Sequence, residues 1–414
     1  MRVIVMGAGI AGVTTAWELQ CSGHAVTVLD RQPAAAAETS YANAGLITLG
    51  HSIAWASPEA PGLLLKSLFS RDQAFRLKPR MDWQMLRWGV RFLRQCTPGR
   101  AAENTKNEYL LCRYSQSLLH EVAEQAGLDY DGGGRGLLYV YGSDSALREG
   151  RDEMEILRSL GHDIEVLDVR ELIELEPAFE QSMGRVAGAL YCPTDESGDC
   201  RKFTRQLVDA CREIGTRFMF DCRIDRIDVG EGRVARLATS AGEFHADAYV
   251  LATGVEAPRL ARPIGIDLPI YPVKGYSATF PVRPEHRGPL IGGLLEDQAI
   301  AFSRLGDRLR VTSVVEIAGY DTTYRAVDFE RMIEEFRAVM PDAADYDHPE
   351  YWACLRPMTP TGQPVVGASR YENLYLNVGH GSMGWTMGCG TARLVADVIN
   401  GREPGIPLEA MRVH

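Results

Sequence analysis

The chain opens with two short apolar runs separated by an amphipathic segment. The first run, Val3 to Met6, and the second, which ends before Asp30, have the length and aliphatic content of buried β-strands. Between them apolar residues recur at helical spacing, and Gly23 stands where a helix C-terminus favours glycine. The pattern predicts strand, turn, helix, turn and strand, which is one βαβ unit.

The rest of the chain supplies further elements without an internal repeat. The pattern predicts helices over residues 82–126 and 145–161, strands over 136–142 and 248–252, an antiparallel sheet over 264–320, and a closing strand, glycine loop and long helix. Residues 40–62 are irregular and rich in small residues, as in a chain that wraps a ligand. Because elements typical of mononucleotide binding occur at both ends and in the middle, the cofactor domain is predicted to be discontinuous.

Composition narrows the class of protein. A chain of 414 residues favours two domains, and a net charge of −11 argues against nucleic acid as a partner. The nine cysteines are scattered without a C-x-x-C pair, and the histidines lack H-E-x-x-H spacing, so we predict neither disulfides nor a metal. The first apolar run is too short for a signal peptide, and no run approaches the ~20 residues of a membrane span. We therefore expect a cytoplasmic protein. Peripheral contact with the cytoplasmic face of the inner membrane is an additional hypothesis.

A glycine motif lies inside the first βαβ unit. Gly7 allows a tight turn, Gly9 allows backbone to approach a pyrophosphate, and Gly12 allows the helix to pack on the strand. Asp30, at the end of the second strand, is placed to bind a ribose diol. Arg31 beside it suggests a 2′-phosphate pocket, but the acid is better placed, so NADP is rejected.

Two later segments favour FAD over NAD. A buried strand delivers Thr253 and Gly254 to a second close approach of backbone to ligand. The loop GHGSMGWTMGCG (379–390) leads into an apolar helix whose N-terminus favours the negative charge of a reduced flavin. The predicted cofactor is FAD.

Five segments carry a resemblance to a known family. MRVIVMGAGIAGVTTAWEL, ETSYANAG, DESGDC, YPVKGYS and LRPMTPTGQPVVG, the last followed by LNVGHGSMGWTMGCG, resemble the flavin-bearing subunit of D-amino-acid dehydrogenases, in the glycine oxidase and D-amino-acid oxidase superfamily. The resemblance runs to about residue 409. It implies an α/β fold in which a Rossmann-type FAD-binding domain (1–75, 195–262 and 365–414) is interleaved with an α+β substrate domain built on an antiparallel sheet (76–194 and 263–364).

The resemblance also implies the residues of the site. The substrate pocket is expected to contain Arg356, Tyr276 and His51. The FAD-binding residues are expected to be Val3, Ile4, Val5, Met6, Gly7, Ala8, Gly9, Ile10, Ala11, Gly12, Asp30, Arg31, Ser40, Asn43, Ala44, Gly45, Leu46, Thr253, Gly254, Gly379, Gly381, Ser382, Met383 and Gly384.

Residue chemistry supports some of these assignments more than others. A guanidinium gives a planar two-point clamp on a carboxylate, and Arg356 stands in a proline-rich stretch without helical period. An ion-pair role for Arg356 and a core role for Tyr276 are the alternatives. Lys274 either contacts the flavin or is a solvated strand residue. His51 departs from the family pattern, and is either a pocket base or specificity residue, or a histidine with a structural role. In the acidic loop 193–203, Ser197 or Asp199 is a candidate helix N-cap.

The predicted reaction is FAD-dependent oxidative deamination of D-amino acids. A hydride passes from Cα to flavin N5, water releases the oxo acid, and a quinone or respiratory carrier takes the electrons. The substrate is D-alanine-like or a cyclic imino acid such as D-proline or hydroxy-D-proline. The alternatives are an oxygen-using glycine or sarcosine oxidase and a non-catalytic electron-transfer flavoprotein. The basic segment 63–96 fits either an anionic membrane surface or helices that cover the substrate domain. The oligomeric state stays open.

Overall fold

The computed structural model describes residues 1–62, 75–77, 82–182 and 184–412. Most of the basic segment 63–96 before residue 82 therefore lies outside the described residues. The helices are α1 (Ile10–Cys21), α2 (Trp83–Leu93), α3 (Pro98–Gln125), α4 (Asp144–Glu153), α5 (Glu155–Ser159), α6 (Val169–Leu175), α7 (Cys200–Glu213), α8 (Ala257–Ala261), α9 (Val327–Val339) and α10 (Gly384–Ile399).

The strands are β1 (Arg2–Met6), β2 (Ala25–Leu29), β3 (Leu46–Ile47), β4 (Phe75–Leu77), β5 (Leu137–Tyr141), β6 (Glu165–Asp168), β7 (Gly188–Cys192), β8 (Glu196–Ser197), β9 (Arg217–Met219), β10 (Ile224–Gly230), β11 (Arg233–Thr239), β12 (Gly242–Phe244), β13 (Ala248–Leu251), β14 (Tyr271–Pro281), β15 (Gly292–Leu295), β16 (Ile300–Leu305), β17 (Arg308–Ile317), β18 (Glu350–Met358), β19 (Val365–Ala368) and β20 (Leu374–Val378). The two longest strands, β14 and β17, lie in the region predicted to be an antiparallel sheet.

The first large sheet is the mononucleotide-binding one. Its strand order is β19-β20-β13-β1-β2-β9, and β1 pairs in parallel with both β2 and β13. Helices α1, α7 and α10 pack together beside it, because the apolar faces of these helices bury against β1 and its neighbours. The strands come from both ends and the middle of the chain. Parallel strands with crossover helices place the carboxyl ends of β1 and β13 at one sheet edge.

The second large sheet has nine strands and is mainly antiparallel. Its order is β18-β14-β17-β16-β15-β5-β7-β6, with β4 beside β17. Helix α9 covers one face, where Phe329 and Phe336 pack in the same core as Phe280. The strands of the two large sheets come from the segments predicted for the two domains, with β4 at the first boundary. The exact boundaries remain a prediction.

Residues 39–45 connect helix α1 to the second large sheet, and the Ser40 hydroxyl accepts from the Ile10 amide of α1 at 3.1 Å. The Ser303 hydroxyl donates to the carbonyl of Ala44 at 2.7 Å, and Thr39 donates to the carbonyl of Leu355 at 2.9 Å. The irregular segment expected to wrap a ligand therefore lies between the sheets. Smaller sheets, β10-β11-β12 and β3-β8, flank this arrangement.

One helical prediction is confirmed and one needs correction. The segment 82–126 is helical as predicted and forms two helices, because Thr97 is the N-cap of α3 and Pro98 occupies its first position. The charged helix after residue 142 also divides at Met154 into α4 and α5. Among the two N-cap candidates, Asp199 caps α7 by accepting from the Lys202 amide at 3.0 Å.

All nine cysteines are free thiols. Within residues 1–62, 75–77, 82–182 and 184–412, no helix combines the length and the apolar content needed to cross a membrane.

Candidate active site

A cavity of about 900 Å³ lies between the two large sheets. One end is lined by the loop after β1 and by Asp30 and Arg31. The other end is lined by the strands β14 to β18 and by the loop before α10. Ser40, Asn43, Ala44, Gly45, Leu46, Thr253, Gly254, Gly381, Ser382, Met383 and Gly384 lie along it, together with Ala8, Ile10 and Ala11. The structure thus brings most of the predicted FAD-binding residues to one cavity.

Two of the three glycines of the first turn, Gly7 and Gly12, have no room for a side chain. Gly7 has a φ of +107°, and a Cβ there would lie 2.6 Å from the carbonyl oxygen of Ala252. A Cβ at Gly12 would lie 1.9 Å from the carbonyl oxygen of Gly7. Gly9, the N-cap of α1, provides no side-chain cap. The helix N-terminus therefore presents backbone amides and the positive end of its dipole to the cavity, as pyrophosphate binding requires.

Asp30 and Arg31 lie at the ribose end. The Asp30 carboxylate accepts from the amides of Ala8 at 2.6 Å and Gln32 at 2.7 Å, and burial raises its pKa. These bonds fix the carboxylate at the cavity wall with lone pairs left for a ribose diol. Arg31 is paired with Glu38 at 2.7 Å and Glu256 at 3.6 Å. Two carboxylates around that guanidinium oppose a 2′-phosphate, which supports the rejection of NADP.

Four buried polar atoms in the cavity wall point to a polar ligand. Thr253 Oγ1, Ser277 Oγ, Trp352 Nε1 and Asn377 Oδ1 have no hydrogen-bonding partner within the described part of the chain. A buried polar atom without a partner costs about 1–3 kcal/mol, so a ligand that pairs with such atoms is favoured. A large dinucleotide with amide, hydroxyl and phosphate groups, such as FAD, fits this wall.

Six of the predicted FAD-binding residues do not line the cavity. Val3, Ile4, Val5 and Met6 are buried in the central strand β1, packed between its neighbours and the helices, so they support the turn from behind and their place among the FAD-binding residues stays a prediction. Gly12 does not line the cavity; because it has no side chain, α1 can pack closely against Gly7. Gly379 has a φ of +82°, and a Cβ there would lie 2.8 Å from Thr359 Cγ2, so it shapes the turn behind the cavity.

Arg356 lies in the wall at the opposite end from Asp30. It is on β18, paired in register with Val273 of β14. Its guanidinium lies over Gly275: a Cβ on that glycine would be 2.6 Å from Arg356 Cζ. Burial lowers the pKa of Arg356 to about 10, which still leaves it cationic at neutral pH. The absence of a side chain at Gly275 therefore makes the space that this cation occupies.

The wall around Arg356 is apolar. Trp88 donates its indole N–H to the carbonyl of Met358 at 2.9 Å and stacks on Phe92 with ring centroids 5.1 Å apart. The wall also includes Trp55, Ala60, Val273, Val315 and Ile317. An apolar, partly closed environment strengthens the attraction between a guanidinium and a carboxylate.

His51 joins the same region. Its backbone amide donates to Thr48 Oγ1 at 3.0 Å, and it lines the cavity. Burial and, second, the nearby charge of Arg356 lower the pKa of His51. The imidazole is therefore neutral at pH 7, and Arg356 is the cation of the pair.

Tyr276 is among the residues that line the cavity, but its side chain is engaged elsewhere. Its ring packs edge-on against Phe329 of α9 at 5.3 Å, and its hydroxyl donates to Glu316 at 3.2 Å. Successive strand residues face opposite sides of a sheet, so Gly275 and Ser277 face the cavity and the Tyr276 ring faces α9. The hydroxyl is thus not available to a substrate carboxylate.

Lys274 faces the same side as Tyr276 and is fully buried. Its ammonium lies 3.8 Å from a carboxylate oxygen of Glu316 and donates to the carbonyl of Thr323. It does not line the cavity, so neither the solvated position nor the flavin contact is found. It belongs to a buried polar cluster on the α9 side of the sheet.

Sequence reasoning missed Asp195, which organises the loop before His51. The buried Asp195 carboxylate accepts from the amides of Leu49 at 2.9 Å and Gly50 at 3.0 Å and from the Tyr139 hydroxyl at 2.8 Å. The sequence of the acidic loop 193–203 indicates only a helix cap. An acid in the short turn between β7 and β8 is the available signal, but nothing in the sequence shows that residues 48–51 fold onto it.

One group within the described residues has a spacing compatible with a metal ion. His162, Cys192 and Asp195 offer ligand atoms within 4.8 Å of one another. The oxygens of Asp195 already accept the hydrogen bonds of the 48–50 loop. Three ligand atoms also fall short of the four typical of a structural zinc site.

Comparisons with known proteins agree with the geometry. Residues 2–398 match the family described as FAD dependent oxidoreductase. D-amino acid dehydrogenase 2 of Mesorhizobium japonicum is 42% identical over 407 residues, covering 98% of each chain. D-amino acid dehydrogenase of Rhizorhabdus wittichii is 40% identical over 406 residues, again covering 98% of each. The crystal structure of glycine oxidase from Geobacillus kaustophilus shares the fold, with a TM-score of 0.76 at 21% identity and coverage of 100% of this chain and 98% of that one.

Proposed function

The chain belongs to the FAD-dependent oxidoreductase family, and from that premise we propose that it is a dehydrogenase that oxidatively deaminates D-amino acids. The family match and the shared fold confirm the predictions of FAD as cofactor and of an α/β flavoenzyme. The observation that carries the proposed activity is Arg356. Its guanidinium lies in the wall of the cavity whose far end has the dinucleotide-binding turn.

Each part of the cavity has a separate task. The α1 N-terminus and Asp30 would hold the pyrophosphate and ribose of FAD, and the loop before α10 would contact the rest of the cofactor. When bound, FAD supplies the two-electron acceptor of the reaction. Arg356 binds the substrate carboxylate by two parallel hydrogen bonds, which fixes the orientation of Cα. The apolar wall around it excludes water from that contact.

The proposed reaction requires little acid–base catalysis from the protein. The Cα–H bond breaks with its electron pair leaving to the acceptor, while the lone pair of the neutral amine forms the C=N bond. The amine then loses a proton, and water hydrolyses the imine to a 2-oxo acid and ammonia. His51 is neutral because its pKa is lowered, so it does not repel the cationic clamp. Orientation by Arg356 supplies the main catalytic contribution of these residues.

Product analysis tests this proposal. The purified holoprotein is incubated with single D-amino acids and a redox dye, and dye reduction, ammonia and 2-oxo acid are measured together. Equal amounts of the three are expected. Rapid oxygen consumption with hydrogen peroxide and without need of a dye would instead identify an oxidase. No product from any amino acid would support a non-catalytic electron-transfer flavoprotein.

The electron acceptor and the membrane contact form a separate proposal, which is supported by an exposed helix face. On α2, Trp83 is 72% exposed and Leu86 is 54% exposed, while Val90 and Leu93 continue the same face. Trp88 and Phe92 on the opposite face pack into the core. An apolar face next to arginines fits an anionic membrane surface, where a quinone is available as acceptor.

A vesicle flotation assay tests the membrane contact independently of the proposed enzyme activity. We expect the protein to float with anionic vesicles and not with neutral ones. The double variant Trp83→Ser, Leu86→Ser is expected to lose flotation while dye reduction is retained. Equal flotation of wild type and variant would contradict the contact.

A further inference from the structure

Glu296 differs from the other acids in the cavity wall. Asp30, Glu38, Asp225 and Glu256 also line it, and each has a hydrogen-bonding partner: backbone amides, Arg31, Arg223 and Arg259 respectively. The backbone carbonyl of Glu296 accepts from the Ala299 amide at 3.0 Å, but its carboxylate makes no hydrogen bond or ion pair to any residue that the structure describes. A half-buried carboxylate without a partner is costly, and a cationic ligand would remove that cost.

The distance between Glu296 and Arg356 determines which part of a bound substrate can reach Glu296. The guanidinium of Arg356 lies over β14 at Gly275, and Glu296 directly follows β15. The strand order β14-β17-β16-β15 puts three strand spacings, about 14 Å, between these strands. Both residues line the cavity. The α-amine of a clamped substrate is bonded to the carbon next to its carboxylate, so it stays near Arg356.

The wall between these two side chains fits an aliphatic chain. Four residues line this stretch: Leu294 of β15, Ala299 just before β16, Ala301 on β16 and Thr312 of β17. Small and apolar side chains leave a passage without competing charges. Burial, with the negative charges of Glu153 and Asp297, raises the pKa of Glu296 to about 7. A cation at this end would relieve that repulsion.

We propose that Glu296 binds the terminal cation of the substrate side chain, so that long basic D-amino acids of the lysine and arginine class are the preferred substrates. This inference rests on the proposed function and names its substrate class. Arg356 holds the carboxylate, the apolar passage holds the methylenes, and Glu296 holds the distal ammonium or guanidinium. The carboxylate at the far end is a specificity determinant and takes no part in the chemistry.

The test compares D-lysine with D-norleucine, which has a similar chain but ends in an apolar methyl group. The quantity is the ratio of their kcat/KM values in the dye assay. Wild type is expected to favour D-lysine. Glu296→Gln is expected to lower the ratio by about 30-fold, the size of a charge-assisted contact. The control Glu59→Gln removes the same charge from an exposed residue outside the cavity lining and is expected to leave the ratio unchanged.

The outcomes separate this inference from the proposed function. A wild-type preference for D-norleucine, or an unchanged ratio in Glu296→Gln with normal flavin content, overturns the Glu296 assignment and leaves the deaminase proposal standing. Failure of wild type to oxidise any D-amino acid overturns the proposed function itself. If Glu296→Gln does not fold, Glu296→Asp retains the charge at shorter reach, and a fall in the D-lysine to D-norleucine ratio still supports the inference while an unchanged ratio opposes it.

Discussion

Adding one methyl group at Gly275 tests the substrate clamp without touching Arg356 itself. The Cβ of Gly275→Ala would lie 2.6 Å from Arg356 Cζ. Carbon atoms pack at about 3.5–4.0 Å, so the guanidinium has to move by about 1 Å. Gly275 does not have a positive φ, so alanine is compatible with the backbone. The side-chain end of an arginine can shift at small cost in stability.

The expected result is a loss of activity larger than the loss of stability. A misplacement of about 1 Å at a clamp costs about 100-fold in rate, which corresponds to about 2.7 kcal/mol in kcat/KM. We expect that fall for every carboxylate substrate in the dye assay, with unchanged flavin absorbance per protein. The melting temperature is expected to stay near that of wild type.

A matched control identifies the cause. Gly230 also lies on a strand and lacks a positive φ, and a Cβ added there would have no neighbouring atom within 4 Å. Gly230→Ala is therefore expected to leave kcat/KM unchanged. If Gly275→Ala retains wild-type kcat/KM with full flavin content, the guanidinium does not clamp the substrate where the structure places it.

The remaining predictions concern the clamp charge, the glycine turn, the buried acid and the pH response. Arg356→Ala is expected to cost about 3 kcal/mol in kcat/KM, or about 150-fold, and Arg356→Lys less, because the charge remains while the two-point contact is lost; equal losses would contradict a bidentate contact. Gly12→Ala puts a methyl group 1.9 Å from a backbone oxygen, so purified protein is expected to carry little flavin, measured by its absorbance. Asp195→Ala leaves buried donors unpaired and is expected to lower the free energy of unfolding by about 3 kcal/mol in urea titrations, with Asp195→Asn less affected. Because the pKa of Glu296 is raised to about 7, its carboxyl is protonated below that pH, so the kcat/KM ratio of D-lysine to D-norleucine is expected to rise as the pH increases through 7; a flat ratio would contradict the ionic contact.

The fold is predictable where local pattern and glycine chemistry agree. The βαβ unit follows from two aliphatic runs, a helical period and glycines whose positions leave no space for a Cβ. Asp30 is predictable because the end of the second parallel strand lies beside the end of the first. The cofactor end of the cavity is thus largely encoded in local sequence.

The substrate end depends on strand register, which a single sequence does not reveal. A shift by one residue exchanges the two faces of a strand. The sequence pattern is therefore compatible with Tyr276 and Lys274 near the flavin or in solvent, whereas β14 directs both towards α9. Glu296 and Asp195 have no distinctive motif, and their surroundings come from segments far away in the chain. Their roles emerge only from tertiary contacts.

The most direct test of the account is an anaerobic titration of the purified yellow protein with the two enantiomers of one amino acid. The D-enantiomer is expected to bleach the flavin absorbance completely, with one equivalent of 2-oxo acid formed per flavin, and the L-enantiomer is expected to leave the spectrum unchanged. Bleaching by the L-enantiomer alone, or by neither enantiomer of any amino acid tested, would contradict the proposed oxidation of D-amino acids.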